Sequence, residues 1–114
     1  MAVVVVDESG SIKYAQRQDG ATMFRVDVAL GKAWGAVAFG TSSRDLSERA
    51  KKNPNFYVTL ATTAGGKLLP QTGAVLIKDL DGNTLGAVGA SGGSGEEDEI
   101  ICIHGVVAAG LTHQ

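Results

Sequence analysis

The residues that could do chemistry are few and fall in three short segments. Arg17 and Asp19 lie close together near the N-terminus, Lys32 lies in an apolar stretch, and Asp98 and His104 lie in the last fifth of the chain. An arginine suits a ligand carboxylate such as a propionate, and a neutral imidazole suits a metal or an axial position. Asp19, Lys32 and Asp98 are candidate acids, bases or binding groups. No Ser-His-Asp order or paired-carboxylate spacing predicts a defined reaction.

Each candidate also has a purely structural interpretation. Asp19 could cap the helix that follows it, with Arg17 holding its carboxylate. The Lys32 ammonium could extend to water or pair with Asp98. His104 falls on the predicted apolar stripe of the last helix, where a packed, hydrogen-bonded histidine is the simplest interpretation. The sequence leaves both interpretations open for every one of these residues.

The single cysteine narrows the kinds of site that are possible. Cys102 has no second cysteine with which to form an intrachain disulfide or a multi-thiolate metal site, so we expect no metal centre of that kind and a reducing compartment, the cytoplasm. Two residues along a helix are about 200° apart, so Cys102 and His104 point in different directions. A catalytic Cys-His pair is therefore not expected. His113 lies near the C-terminus and is predicted to be solvated and frayed.

The hydrophobic periodicity of the first forty residues predicts a hairpin and then a helix, with Arg17 and Asp19 at the junction between them. The β-branched run at 3–6 predicts a buried strand, and 12–17 predicts its return strand. Apolar residues then recur at three- and four-residue intervals from 23 to 37, which predicts an amphipathic helix ending at Gly40. A second, short helix is predicted to begin after Ser42 and to end before Pro54.

The second half of the chain predicts a hairpin and a last helix. Residues 55–66 alternate partly like a strand but would also tolerate a loop or one helical turn, so their structure stays open. Residues 74–80 and 84–90 flank an Asp-Gly turn and predict two antiparallel strands. Ser94 and Glu97 have the spacing of a capping box that opens a helix to about residue 109. This order of elements predicts one α+β domain over residues 1–114 with an antiparallel sheet.

Composition excludes some classes of partner. The chain has 114 residues, ten Lys and Arg against twelve Asp and Glu, and no basic cluster that would bind a nucleic acid backbone. The apolar run at 2–6 is too short for a signal sequence or a membrane span. One Trp, two Tyr and three Phe make a thin core, and sixteen glycines are about twice the usual share. We therefore expect that the chain does not associate with a membrane. We also expect that it associates with further copies of itself.

Several segments together resemble the GlcG/HbpS family of haem-binding or haem-degrading domains, which also occur as the C-terminal domain of PduO-type proteins. The segments run from about residue 3 to residue 111 in the family's order. The most specific is the glycine-rich block from Leu85 to Gly93, followed by the acidic helix start. The others are Val-Val-Asp-Glu-Ser-Gly at 5–10, Arg-Gln-Asp-Gly-Ala at 17–21, Lys-Ala at 32–33, Glu-Asp-Glu at 97–99 and Gly105.

The resemblance implies a profilin-like α+β fold, assembly into dimers or higher oligomers, and a small-molecule ligand such as haem or cobalamin. The family's usual N-terminal helix is expected to be absent from the domain, because this chain begins directly at the predicted first strand. The family's Arg-Met-Asp-Gly is Arg-Gln-Asp-Gly here, its Gly-Gly-Val-Pro-Ile before the hairpin is reduced, and His104 replaces a small residue.

Two main functions follow as hypotheses. The first is an oligomeric protein that binds haem or another tetrapyrrole, with Arg17 or Lys32 at the propionates and His104 as a possible ligand. The alternative is an enzyme acting on a small carboxylate or carbonyl metabolite through Asp19, Lys32 and Asp98. A structural subunit with no well-formed cavity is a third possibility.

Overall fold

The computed structural model describes every residue from Met1 to Gln114 and contains five strands and four helices. In chain order they are β1 (Ala2–Asp7), β2 (Ile12–Arg17), α1 (Phe24–Phe39), α2 (Ser43–Lys52), α3 (Pro54–Thr63), β3 (Ala74–Lys78), β4 (Thr84–Ser91), α4 (Gly95–Ala108) and β5 (Thr112–His113). This order confirms the predicted α+β class. None of the four helices is both long and apolar enough to cross a membrane.

The strands form one antiparallel sheet in the order β2-β1-β4-β3-β5. Side chains alternate between its two faces, so each strand contributes to two layers of core. Val4 and Val6 of β1 pack with the alanines of α1, whereas Val3 and Val5 pack on the other face against the cluster that contains Cys102 of α4. The sheet is thus covered by α1 on one face and by α4 on the other.

The long helix α1 lies very close to the sheet. Gly89 of β4 faces it, and a Cβ on Gly89 would collide with the backbone carbonyl oxygen of Ala29. On the other side of the helix, a Cβ on Gly31 would lie 2.8 Å from the Cβ of Leu69. Small residues therefore allow α1 to be packed between the sheet and the segment that follows α3, which explains why a helix interior tolerates glycine.

Two local predictions need correction, and one stretch that the sequence left open is now assigned. Asp19 does not cap α1, because the helix begins at Phe24 and its N-cap residue Met23 makes no side-chain capping bond. The ambiguous stretch after Asn53 is helical: proline takes the first helical position of α3, where no amide donor is needed. His113 is exposed, but it is not frayed, because it lies in β5 and pairs with Ile77 of β3.

The predicted start of α4 is confirmed. The Ser94 hydroxyl accepts a hydrogen bond from the backbone amide of Glu97, and the Glu97 carboxylate accepts one from the amide of Ser94 at 2.8 Å. These bonds to Ser94 lower the pKa of Glu97. The capping box therefore fixes where α4 begins relative to the end of β4, only four residues before.

Candidate functional site

Lys32 and Asp98 form a buried ion pair, which confirms the pairing that the sequence left open. Lys32 Nζ lies 3.2 Å from Asp98 Oδ2 and donates a second hydrogen bond to the backbone oxygen of Ala90 at 3.0 Å. The other carboxylate oxygen of Asp98 accepts the amide of Gly93 at 2.9 Å. The lysine side chain passes directly over Gly73, where a Cβ would lie 2.6 Å from Nζ. Glycine at 73 is therefore needed to leave room for the pair.

Four elements meet at this ion pair. Lys32 comes from the middle of α1, Asp98 from the first turn of α4, and the carbonyl of Ala90 from the end of β4. The glycine-rich turn between β4 and α4 closes the arrangement through Gly93. Because each charge has a partner, the cost of burying both is offset at this junction of helix, sheet and turn.

A polar cleft opens above the pair. We use this name for a cavity of about 410 Å³ that lies between α1, α2, the segment before β3 and the β4–α4 turn. Its lining residues are Arg25, Val28, Lys32, Ser47, Lys51, Leu69, Gln71, Thr72, Ser91, Gly93, Gly95, Glu96 and Asp98. The cleft thus unites two of the predicted candidates, Lys32 and Asp98, with several polar residues that the sequence did not indicate.

Arg25 and Ser91 are the main residues of the cleft that sequence reasoning missed. The exposed guanidinium of Arg25 donates to the hydroxyl of the buried Ser91 at 3.4 Å. Ser91 ends β4 and lies within the Leu85–Gly93 block that carries the family resemblance, which was the available signal. Arg25 lies in the first turn of α1, one residue from an exposed phenylalanine, and nothing in its spacing distinguished it from a surface arginine.

Arg17 and Asp19 lie outside the polar cleft. Arg17 and Ser91 pair with Ala2 from opposite sides, so their side chains face the same side of the sheet and their Cα atoms are about 10 Å apart. Both Arg17 and Asp19 are exposed and form no ion pair with each other or with any other residue. The structure therefore does not bring Asp19 together with Lys32 and Asp98.

His104 is exposed rather than packed, which rules out the first of its two open interpretations, a core histidine. The buried residues of α4 are Asp98, Cys102 and Val106, one residue in four along the helix. The predicted stripe exists, but it points to solvent, and we call it the outer face of α4. It comprises Ile100, Ile101, His104, Val107 and Ala108, all exposed. Because α4 is apolar almost all round, periodicity could not tell which side would meet the sheet.

An apolar groove lies between α4 and the sheet. It has a volume of about 350 Å³, within the usual range for small-molecule sites. Its lining residues are Val3, Val5, Tyr14, Ile77, Val88, Ile101, Cys102, Gly105, Val106, Ala109 and Leu111. The groove shares no residue with the polar cleft, and Ile101 joins it to the outer face of α4. Tyr14 of the edge strand β2 was not singled out from the sequence, because it lies in a segment without apolar alternation.

The groove has two side chains with heteroatoms. The Tyr14 hydroxyl donates to the Gln16 side chain at 2.6 Å. The thiol of Cys102 contacts the backbone oxygen of Gly73 at 3.4 Å, and burial, reinforced by the charge of Asp98, raises its pKa to about 12. Cys102 therefore remains a neutral thiol near pH 7, which suits the wall of an apolar groove and not a thiolate ligand.

This fold and these two cavities define a single-domain α+β protein with an apolar groove on one side of the sheet and a polar cleft at its end. The family model for HbpS-like haem degrading proteins matches residues 1–107. The chain belongs to this HbpS-like family.

Relatives of known structure share the whole fold. The crystal structure of a PduOC:heme complex has 32% identity and a TM-score of 0.85, covering 99% of this chain and 81% of that chain. A double mutant of Streptomyces reticuli HbpS has 26% identity and a TM-score of 0.79, covering 94% of this chain and 69% of that chain. The corrinoid adenosyltransferase PduO of Salmonella typhimurium is 31% identical over 115 residues, which is 100% of this chain and 34% of PduO. The chain spans about a third of that enzyme.

Proposed function

We propose that this protein binds haem, or a similar tetrapyrrole, in the apolar groove. The observation that carries the proposal is the groove itself: a cavity walled by aliphatic side chains of three strands and α4, with Tyr14 from a fourth strand, in a chain whose fold matches that of a haem complex. A flat apolar macrocycle gains free energy when it leaves water for such walls. Bound haem would supply an iron centre for ligand binding or redox chemistry.

The side chains around the groove suit such a ligand. His104 lies three residues after the groove residue Ile101, about 60° away around α4, and its imidazole is exposed. We propose His104 as the iron ligand at the rim. Arg17 is exposed and lacks an ionic partner, but it lies three residues after Tyr14 on β2, so its side chain faces the other side of the sheet and we do not assign it to the groove. Lys32 is buried and paired, and therefore belongs to the polar cleft instead.

Haemin titration followed by the Soret band tests the proposal. We expect a saturable Soret shift with the native chain and an altered band position with His104→Ala. Arg17→Gln should leave both the affinity and the band position unchanged, since Arg17 faces the side of the sheet away from the groove. No Soret shift with the native chain would overturn haem binding, and a spectral change with cobalamin alone would indicate the other tetrapyrrole.

Two adjacent isoleucines provide a matched pair of variants that locates the ligand. Ile101→Glu places a carboxylate at the groove, whereas Ile100→Glu places the same charge on the outer face of α4, where the side chain is 64% exposed. We expect Ile101→Glu to weaken haemin binding about tenfold or more, because desolvating a charge against an apolar ligand is costly. An equal loss from Ile100→Glu would place the ligand outside the groove.

We also propose that the chain forms homo-oligomers through the outer face of α4. In a single copy of the chain, this face exposes Ile100 and Val107, the latter to 59%. Exposed apolar patches are typical of interfaces. In sedimentation experiments we expect Val107→Glu to shift the protein towards the monomer. Val58→Glu on α3, where the side chain is 73% exposed, is the control and should leave the oligomer unchanged. A native chain that sediments only as a monomer would contradict this proposal.

We place this binding function in the cytoplasm. The observation that supports this location is chemical: the one cysteine is a buried, free thiol. Free thiols persist in reducing compartments.

A further inference from the structure

The free hydrogen-bonding capacity of the polar cleft consists mainly of donors. Both carboxylate oxygens of Asp98 are already engaged, one by Gly93 and one by Lys32. Lys32 Nζ carries three N–H donors and uses two of them within the chain. The Ser91 hydroxyl accepts from Arg25, which leaves its own hydrogen available to donate. Two buried side chains, Lys32 and Ser91, thus present donors to the cavity.

The charge at the rim also favours an anion. Arg25 and Lys51 are exposed cations, and Lys51 is held only by a solvent-exposed pair with Glu48. The one carboxylate of the lining that has no cationic partner is Glu96. Among the lining residues, three cations (Arg25, Lys32 and Lys51) face the two carboxylates of Glu96 and Asp98, an excess of one positive charge that Glu48, outside the lining, reduces at Lys51. Such an excess suits a monoanion, and Glu96 disfavours a dianion such as phosphate.

We propose that the polar cleft is a second ligand site, which binds a small monocarboxylate bearing a hydroxyl or carbonyl group. The planar guanidinium of Arg25 matches a carboxylate in geometry, and the Ser91 hydroxyl beside it adds a donor. Gln71 and Thr72 also line the cleft and provide partners for a further oxygen of the ligand. At about 410 Å³ the cavity holds a molecule of a few carbon atoms. This site is independent of the apolar groove, since the two share no lining residue.

Titration of the native chain with lactate, pyruvate and acetate tests the proposal by amide NMR and calorimetry. We expect saturable binding of lactate and pyruvate with shifts at the amides of residues 91–95, and at least fivefold weaker binding of acetate. Lactamide, the neutral analogue of lactate, should not bind. Failure of all three carboxylates to bind would overturn the proposal, as would tighter binding of inorganic phosphate than of lactate.

The variants for this test change exposed residues, so we expect them to fold like the native chain. Arg25→Gln should weaken lactate binding at least tenfold, and Arg49→Gln, which removes an equally exposed α2 arginine paired with Asp45 outside the cleft, should leave it unchanged. Equal effects of the two variants would overturn the site assignment. Ile101→Glu should weaken haemin binding and spare lactate binding, so failure at one site is distinguished from failure at the other.

Discussion

The buried ion pair predicts a large loss of stability when its cation is removed. In Lys32→Met the apolar stem is kept, but Asp98 loses the partner 3.2 Å away and the backbone oxygen of Ala90 loses its donor. Side chains of both members are at least nine-tenths buried, so solvent cannot replace the lost interactions fully. Breaking such a pair from one side costs about 3–5 kcal/mol, a large part of the stability of a domain this size.

Urea unfolding of four chains measures this cost. The chains are the native protein, Lys32→Met, Asp98→Asn and the double variant, and the measured quantity is the free energy of unfolding. We expect the double variant to be more stable than the sum of the single changes predicts, because it leaves no uncompensated charge buried. Arg49→Met breaks an exposed pair, with both side chains about half exposed, and should cost at most about 1 kcal/mol. A loss from Lys32→Met no larger than that of Arg49→Met, or strict additivity in the double variant, would refute the reasoning.

Changes at four further positions test the stability and reactivity that the structure predicts. Ser94→Ala removes the cap of α4 and should lower the free energy of unfolding by about 1 kcal/mol, with a loss below a few tenths contradicting the role of the capping box. Gly89→Ala should destabilise the protein by about 1–3 kcal/mol, because the new Cβ would collide with the Ala29 carbonyl. Gly105→Ala should stabilise α4 by up to about 1 kcal/mol in the same assay, because no atom lies within 4 Å of its new Cβ. Cys102 should react with iodoacetamide at pH 8 far more slowly than in urea. The pKa of the Cys102 thiol is higher in the folded protein than in the unfolded chain, so the free energy of unfolding should fall as the pH rises from about 9 towards 12. Cys102→Ala should reduce this dependence on pH.

Local signals in the sequence were sufficient for most of the elements. The hairpin of β3 and β4 follows from an Asp-Gly turn between two apolar runs, and the start of α4 from Ser94 and Glu97. These features depend on residues only a few positions apart, so their physics is complete within the segment. α3 was left open because proline at its first position and the mixed apolar pattern fit more than one structure. The two-residue β5 was missed because it depends on pairing with Ile77, distant in the chain.

In the candidate site as well, residue types could be predicted from the sequence, whereas contacts between distant residues could not. Lys32 and Asp98 were identified by residue type, and their pairing was one of two open interpretations until the fold placed them together. His104 was assigned to the packed side of α4, but a helix that is apolar on nearly all sides carries no information on which side meets the sheet. Arg25 and Tyr14 were not identified at all, because each becomes part of a cavity only through neighbours from other elements.

The α+β class and the positions of most strands and helices could be predicted from local periodicity and turn chemistry, and the family from the resemblance of several segments, above all the glycine-rich block from Leu85 to Gly93. The division of the chemically active residues between a polar cleft at the end of the sheet and an apolar groove on one of its faces becomes visible only in the folded protein. The physical reason lies in packing: close contact of α1 with Gly89 and Gly73 brings Lys32 to Asp98, and the burial of Cys102 and Val106 turns His104 outward. These contacts join residues that are tens of positions apart, and no pattern within one segment encodes them.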